Sequence, residues 1–177
     1  ENKYVKDFTK NNTLSILLNE LNKEVYKLLE NDKANYILFR GITGVPSLPH
    51  FEEIYKLKPL AIAKYPMYLG IAKLFGFDTI KIQDYKDLNN IKEIIKENIN
   101  NYDFIFFHYK YTDMAGEDGN FELKVNSIEE ADKIVGLFLE FDPDVMVITG
   151  DHSTPCIYKS HSFQGTPYMI YSKNQDV

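Results

Sequence analysis

The sequence predicts an α/β fold, in which a mostly parallel sheet is covered by helices on both faces. From about residue 58 onward, short apolar segments with strand character alternate with longer segments whose apolar residues recur every three or four positions. Such alternation implies right-handed crossovers between parallel strands. The 177 residues are 44% hydrophobic and 26% charged, which allows a folded core and excludes a disordered chain.

The leading part of the chain predicts one helix, one strand and a hinge. Leucine and valine residues recur at helical spacing over residues 14–29, which indicates an amphipathic helix. A short strand is expected at residues 35–39. The loop at residues 41–49 carries two glycines and two prolines, which favours a hinge. We therefore expect residues 1–57 and residues 58–177 to belong to different domains.

Strands and helices then alternate along the rest of the chain. Strands are expected at residues 60–63, 79–82, 102–109, 144–149 and 167–171. One helix is opened by Pro66 and closed by Gly76, a second is marked by leucine and isoleucine over residues 88–99, and a third begins with a capping box of Ser127 and Glu130. The continuous hydrophobicity of the strands at 102–109 and 144–149 predicts burial on both faces.

Charge and composition argue against several classes of partner. The chain has 20 basic and 26 acidic residues, a net charge of −6, and no basic stripe, so nucleic acid is not an expected partner. No apolar run approaches the roughly 20 residues that span a bilayer, so no membrane association is expected. We expect a cytoplasmic location. The single cysteine, Cys156, cannot form an internal disulfide, which fits a reducing compartment.

Candidate metal ligands follow two of the predicted strands. Asp113 and Glu117 come after the strand at 102–109, Asp151 and His152 come after the next strand, and His161 lies just downstream. Ligands in open α/β sheets bind beyond the carboxyl ends of the strands. Carboxylates with neutral imidazoles suit zinc, manganese or cobalt, whereas oxygen ligands alone suit magnesium or calcium. The alternative is a loop cap with a surface histidine.

Three separated motifs carry a resemblance to a known family. They are H-Y-K-Y-T-D-M-A-G-E-D-G-N-F-E at residues 108–122, G-D-H-S-T-P at residues 150–155 and K-S-H-S at residues 159–162. In this order they resemble the archaeal-type 2,3-bisphosphoglycerate-independent phosphoglycerate mutases of the alkaline phosphatase superfamily. The resemblance continues upstream through L-F-R-G at residues 38–41 and A-K-Y-P-M-Y at residues 63–68, so it covers most of the chain.

The resemblance implies a two-metal isomerase that interconverts 2-phosphoglycerate and 3-phosphoglycerate in glycolysis and gluconeogenesis, through a phosphoserine intermediate. It implies that Asp113 and His161 bind one divalent ion and that Asp151 and His152 bind the other. Glu117 stands where many family members carry a metal-binding histidine, which leaves both its role and the metal open. Manganese is expected first, with zinc, cobalt and magnesium as alternatives.

The resemblance is incomplete, because the family's nucleophilic serine and an aspartate that precedes it have no matching motif here. We expect a fragment in which residues 1–57 end an inserted phosphotransferase-type domain and residues 58–177 form part of the alkaline-phosphatase-like domain. This fragment would contain no catalytic residue and would show no mutase activity of its own. Self-association through exposed apolar surface is left open.

Three basic residues are candidates for binding the phosphoglycerate substrate. Arg40, the only arginine, precedes Gly41 and can offer a bidentate contact to an anion. Lys64 lies between a strand and a helix N-terminus. Lys110 is expected either to neutralise phosphate or to pair with a nearby carboxylate. His108, within a strand, is expected to be a hydrogen-bonded core residue or to support a metal ligand.

Two other functions stay open alongside the mutase. A phosphatase or phosphodiesterase of the same superfamily would use the same metals and release phosphate to water. A non-catalytic relative would keep the scaffold without the chemistry. A mutase must hold the glycerate between transfers, which requires a cleft that closes. The helix at residues 14–29 and the hinge motifs favour the mutase.

Overall fold

The computed structural model describes residues 13–39, 44 and 46–173, which form two compact units, Glu1–Pro46 and Ser47–Val177. The first unit contains helix α1 (Thr13–Leu29), as the leucine spacing predicts. The side-chain oxygen of the buried Asn22 accepts a hydrogen bond of 3.2 Å from the backbone N–H of Ile37. The predicted strand at residues 35–39 is wrong. No strand forms over that segment, because local β-propensity alone does not make a strand.

A parallel sheet forms the centre of the second unit, and its elements follow in the predicted order after a short helix, Phe51–Tyr55, that was not predicted. They are α2 (Phe51–Tyr55), β1 (Pro59–Ala63), α3 (Pro66–Leu74), β2 (Asp78–Lys81), α4 (Leu88–Asn98) and β3 (Phe104–His108). The strand order is β2-β1-β3, with both neighbours parallel to β1. The predicted α/β class with a parallel sheet flanked by helices is therefore confirmed.

The core of this unit is built around the central strand. Leu60 and Ile62 of β1 pack with Ile91 and Ile95 of α4, and Tyr85 joins them from the loop between β2 and α4. All five residues of β1 are buried. The sequence P-L-A-I-A suits this place because it has no polar side chain to satisfy, and the apolar area removed from water stabilises the unit.

Helices α5 (Tyr111–Glu117) and α6 (Phe121–Leu139) follow β3 and correct two expectations. The polar segment after β3 was predicted to be a loop, but it contains α5. Asn120 caps α6 by accepting a hydrogen bond of 2.9 Å from the backbone N–H of Leu123. Ser127 therefore lies inside the helix, where its hydroxyl donates to the Leu123 carbonyl. The helix starts earlier because Gly119, at φ 69°, reverses the chain just before Asn120.

The last two strands form a sheet of their own. Strands β4 (Val145–Thr149) and β5 (Tyr168–Ser172) pair antiparallel and both lie where strands are predicted. The prediction that β3 and β4 are buried on both faces is wrong, because Phe106 and Val147 are exposed. An apolar run shows only that a face can be buried, and packing against another element decides whether it is. In the part of the chain that the structure describes, no helix has the length and hydropathy needed to cross a bilayer.

Candidate metal centre

The predicted ligands lie on two segments that follow β3 and β4. Asp113 lies in the first turn of α5, three residues beyond Lys110 and just after β3. Asp151 and His152 come directly after β4. The backbone N–H of Ser162 donates to the carbonyl of Ser153 at 2.9 Å, in an isolated antiparallel bridge. This bridge returns the chain to the same place and brings His161 beside His152.

Asp113, His152 and His161 form a compact group of potential metal ligands. One ligand atom from each lies within 4.8 Å of the others. The imidazole rings of His152 and His161 stack with their centroids 3.7 Å apart, and His161 Nε2 is 3.7 Å from Asp113 Oδ1. A carboxylate with two imidazoles is a donor set that fits a divalent transition ion.

Two further carboxylates flank this group, one on each side. Glu117 Oε1 lies 3.4 Å from His161 Nε2, and Asp151 Oδ2 lies 3.4 Å from His152 Nε2. His152 Nδ1 is also 3.9 Å from Asp113 Oδ1, so all five predicted ligands lie in one neighbourhood. We divide them into two sets, following the pairs of ligands that the resemblance implies. We name them set A (Asp113, Glu117 and His161) and set B (Asp151 and His152). Each set combines carboxylate and imidazole, so each has the chemistry to hold a divalent ion.

Asp113 is the most closely held of these residues. Burial alone would raise the pKa of its carboxyl, but hydrogen bonds from Lys110 and from the Thr154 hydroxyl lower the pKa below its ordinary value. Lys110 thus pairs with a carboxylate, which is one of the two roles predicted for it. Burial opposes the charge of Lys110, but its bond to Asp113 outweighs this and raises the pKa of Lys110.

Lys64 lies at the carboxyl end of β1, as predicted. Its Nζ donates a hydrogen bond of 2.5 Å to the Tyr111 hydroxyl, and this bond raises the pKa of Lys64. Lys64 and Lys81 line a surface cavity of about 220 Å³ at the carboxyl ends of β1 and β2. Two lysines at such an edge suit an anionic ligand. Arg40, the third basic candidate, lies outside the described residues.

His108 occupies the last position of β3. Its ring stacks on Tyr68, with the ring centroids 3.4 Å apart. Burial lowers the pKa of His108, and the negative charge of Asp151 partly opposes this effect. Its Nδ1 is buried with no hydrogen-bond partner among the described residues. The hydrogen bond that the sequence led us to expect for His108 is therefore not made at Nδ1.

Thr154 and Lys124 belong to the site but are not among the predicted residues. Thr154 Oγ1 lies 2.5 Å from Asp113 Oδ1 and 3.2 Å from His152 Nδ1. Lys124, on α6, donates from Nζ to the Thr154 carbonyl at 2.5 Å. The only sequence signal for Thr154 is its place within G-D-H-S-T-P, and Lys124 has none, because a lysine on an amphipathic helix usually faces solvent.

Comparison with known proteins supports the predicted resemblance. A family model described as the metalloenzyme superfamily matches residues 11–177. A probable 2,3-bisphosphoglycerate-independent phosphoglycerate mutase of Thermosipho melanesiensis is 51% identical over 160 residues, covering 90% of this chain and 39% of the relative. One of Thermus thermophilus is 43% identical over 156 residues, covering 87% of this chain and 38% of the relative. The chain thus spans less than half the length of these relatives.

Two solved structures share the fold. The PH0037 protein from Pyrococcus horikoshii aligns with a TM-score of 0.73 at 29% identity, covering 90% of this chain and 46% of that chain. The cofactor-independent phosphoglycerate mutase from Thermoplasma acidophilum aligns with a TM-score of 0.57 at 20% identity, covering 90% of this chain and 41% of that chain. At that identity the second likeness concerns the fold alone.

Proposed function

The chain belongs to the metalloenzyme superfamily, and from this premise we propose that it supplies the metal-binding part of a cofactor-independent phosphoglycerate mutase. Such an enzyme interconverts 2-phosphoglycerate and 3-phosphoglycerate through a phosphoserine. The observation that carries the proposal is the convergence of Asp113, His152 and His161 beyond two strand ends. The names of relatives that are 43% to 51% identical support it. Glycolysis and a cytoplasmic location are further parts of the proposal.

We propose that the two ligand sets hold two divalent ions. Set A would bind one ion through Asp113, Glu117 and His161, and set B would contribute Asp151 and His152 to the other. Imidazole nitrogen suits manganese, zinc and cobalt, whereas Glu117 adds an oxygen donor that harder ions such as manganese and magnesium accept. Manganese satisfies both donor types and is our first expectation.

The chain's own residues prepare the site for these ions. The Asp113 carboxylate is ionised near neutral pH, as a metal ligand must be, and its lowered pKa keeps it ionised at more acidic pH than an ordinary aspartate. When bound, a pair of ions stabilises negative charge on a phosphoryl group and activates a coordinated hydroxyl. Lys110 holds Asp113 in place through its ion pair. The serine nucleophile has no matching motif here, so we expect no turnover by the 177-residue chain alone.

We further propose that the substrate's charged groups are held by basic residues. Lys64 and Lys81 lie at the cavity beyond β1 and β2, where they would attract a phosphate or carboxylate. Lys110 would add a further positive charge beside set A. Arg40 is proposed as a substrate contact from the sequence alone. We propose that residues 1–57 end an inserted phosphotransferase-type domain and that residues 58–177 form part of the alkaline-phosphatase-like domain. Self-association through exposed apolar surface is a further part of the proposal.

Metal titration of the chain tests the proposed centre directly. We expect isothermal titration calorimetry with manganese chloride to show binding, and Asp113→Asn to weaken the affinity by more than about tenfold, since changes beyond the first ligands already cost about 10- to 100-fold. The matched control is Asp132→Asn, which makes the same change on the exposed side of α6. Equal affinities of the two variants would contradict the assignment.

An enolase-coupled assay tests the activity. It uses the complete gene product that carries these residues, with 3-phosphoglycerate, no added 2,3-bisphosphoglycerate, and manganese either present or chelated. Turnover that depends on the metal supports the mutase. Release of inorganic phosphate instead would identify a phosphatase, and a folded protein that is inactive with every metal would leave the non-catalytic alternative.

A further inference from the structure

Thr154 lies between the two ligand sets and contacts one member of each. It is only 4% exposed. Its Oγ1 is 2.5 Å from Asp113 Oδ1 in set A and 3.2 Å from His152 Nδ1 in set B. A buried hydroxyl with two such neighbours is a fixed link between them, because both hydrogen bonds would be costly to leave unmade.

The number of protons decides the direction of each bond. A threonine hydroxyl has one proton to donate and lone pairs with which to accept. The Asp113 carboxylate is ion-paired with Lys110 and can only accept, so the hydroxyl donates to it. The contact with His152 then requires the hydroxyl oxygen to accept from Nδ1–H. A neutral imidazole with its proton on Nδ1 has a free lone pair on Nε2.

The free nitrogen is the one that faces the rest of set B. His152 Nε2 lies 3.4 Å from Asp151 Oδ2, so a cation held by Asp151 would find the lone pair of His152 beside it. With the opposite tautomer, Nε2 would carry a proton and could not bind a metal. The hydroxyl of Thr154 therefore selects the nitrogen that set B needs.

We propose that Thr154 is a positioning residue that joins the two ligand sets and fixes His152 in the tautomer whose Nε2 is free for metal. This inference deepens the proposed function and rests on the metal centre proposed above. Thr154 itself would coordinate no metal ion. It acts through Asp113, whose carboxylate it orients, and through His152.

Two neighbouring residues hold Thr154 in this position. Lys124 Nζ donates to its carbonyl at 2.5 Å and so ties the segment after β4 to α6. Gly116 of α5 lies directly against it, since a Cβ at that position would meet Thr154 Cγ2 at 2.9 Å and would also overlap its carbonyl oxygen. Only a glycine lets α5 approach this closely, and the approach brings Asp113 within reach of the hydroxyl.

Nitrogen NMR of the metal-free chain reads the tautomer directly. The chain holds four histidines, so ¹⁵N-histidine labelling gives few signals, and His152→Gln identifies that of His152. At about pH 8 we expect the neutral His152 ring to carry its single proton on Nδ1. We expect Thr154→Val to yield a mixture of tautomers and Thr154→Ser to restore the wild-type pattern. A wild-type proton on Nε2 would overturn the proposal, and so would an unchanged pattern in Thr154→Val.

Manganese titration of the same variants gives the second measurement. We expect Thr154→Val to weaken binding by about 10- to 100-fold, the usual loss when a residue that supports a metal ligand is removed. Thr154→Ser should bind as the wild type does. Thr79→Val on β2 makes the same change away from both sets and should also leave the affinity unchanged. Equal affinities of Thr154→Val and Thr79→Val would contradict the role of Thr154.

The outcomes separate this inference from the metal centre itself. If the wild-type chain binds no manganese, the proposed centre fails, whatever the tautomer. If the wild type and Thr154→Val bind equally well, the centre stands and the inference fails. Because the wild-type tautomer is read without changing Thr154, with His152→Gln used only to assign the signal, the test holds even where Thr154→Val does not fold. Lys124→Met should weaken manganese binding, whereas Lys133→Met on the same helix should not. Wild-type affinity in Lys124→Met would overturn the role given to Lys124.

Discussion

Strands β1 and β4 have the same length and a similar apolar character, but they are buried to opposite degrees. Every residue of β1 is buried between two parallel partners, beneath the residues of α4 that complete the core. In β4, Val145 and Val147 are each 56% exposed, and β5 is the strand that pairs with it. The place of a strand in its sheet, more than its composition, therefore decides how much its side chains stabilise the fold.

The candidate site depends on both kinds of strand. Asp113 follows β3, which belongs to the parallel sheet, whereas Asp151 and His152 follow β4 of the exposed pair. No hydrogen-bond ladder joins the two sheets in the described part of the chain. Contacts between loops and helices, including those of Thr154, therefore hold the two ligand sets together.

Ile62→Ala should produce the largest effect and shows what the central strand contributes. Ile62 is 0% exposed, and its removal should leave a cavity that lowers the free energy of unfolding by about 2–5 kcal/mol. Urea denaturation of the chain, followed by circular dichroism, measures this loss. A cost below about 1 kcal/mol would mean that the core around β1 is loosely packed.

Gly116→Ala tests the contact between the two regions. The new Cβ would overlap the Thr154 carbonyl oxygen, so we expect a loss of about 1–3 kcal/mol of stability together with weaker manganese binding. Gly136→Ala on α6 is the matched control, because a Cβ there has open space and should be neutral or slightly stabilising. Similar effects of the two changes on unfolding and on metal affinity would refute the close approach of α5 to Thr154.

Tyr85→Phe tests how the core supports the carboxyl end of β3. Tyr85 is 1% exposed, and its hydroxyl donates to the His108 carbonyl at 2.9 Å, so the change should cost about 1 kcal/mol near neutral pH.

The same residue predicts a dependence on alkaline pH. Burial raises the pKa of Tyr85 from 10.0 to about 12. Folding therefore favours the neutral phenol, and this contribution is complete below pH 10 and is lost as the pH rises towards 12. Urea denaturation between neutral pH and this range should show a shallower alkaline loss of stability in Tyr85→Phe than in the wild type. Parallel curves would argue against the shift.

Val147→Ala should have the smallest effect and completes the contrast with Ile62→Ala. More than half of Val147 already contacts solvent, so shortening it should change the free energy of unfolding by less than about 1 kcal/mol. The same urea denaturation measures it. A cost close to that of Ile62→Ala would show that the exposed face of β4 is covered in solution, for instance by a second copy of the chain.

Local patterns were enough to predict most of the elements. The spacing of apolar residues indicates α1 and α4, and Pro66 marks the start of α3. Such signals succeed because the hydrogen bonds of a helix, and its first turn, lie within the segment itself. The strand predicted at residues 35–39 fails for the opposite reason, since a strand needs a partner that its own residues do not specify.

Cap residues show a second limit of local reasoning. Asn120 and Ser127 are both of the type that caps a helix, and the sequence pattern favoured Ser127 because Glu130 follows it. In the folded chain Glu130 instead accepts a hydrogen bond of 3.1 Å from the hydroxyl of Tyr109. A tertiary contact thus takes the side chain on which the predicted capping box relied.

For the site, the sequence by itself determined the types of ligand and their order along the chain, because carboxylates and imidazoles follow predicted strand ends within motifs that resemble a metalloenzyme family. Tertiary structure alone decided that β4 is exposed and that Thr154 lies between the two ligand sets. These features depend on distances between residues far apart in sequence, such as the 41 positions between Asp113 and Thr154, and no local pattern encodes such a distance.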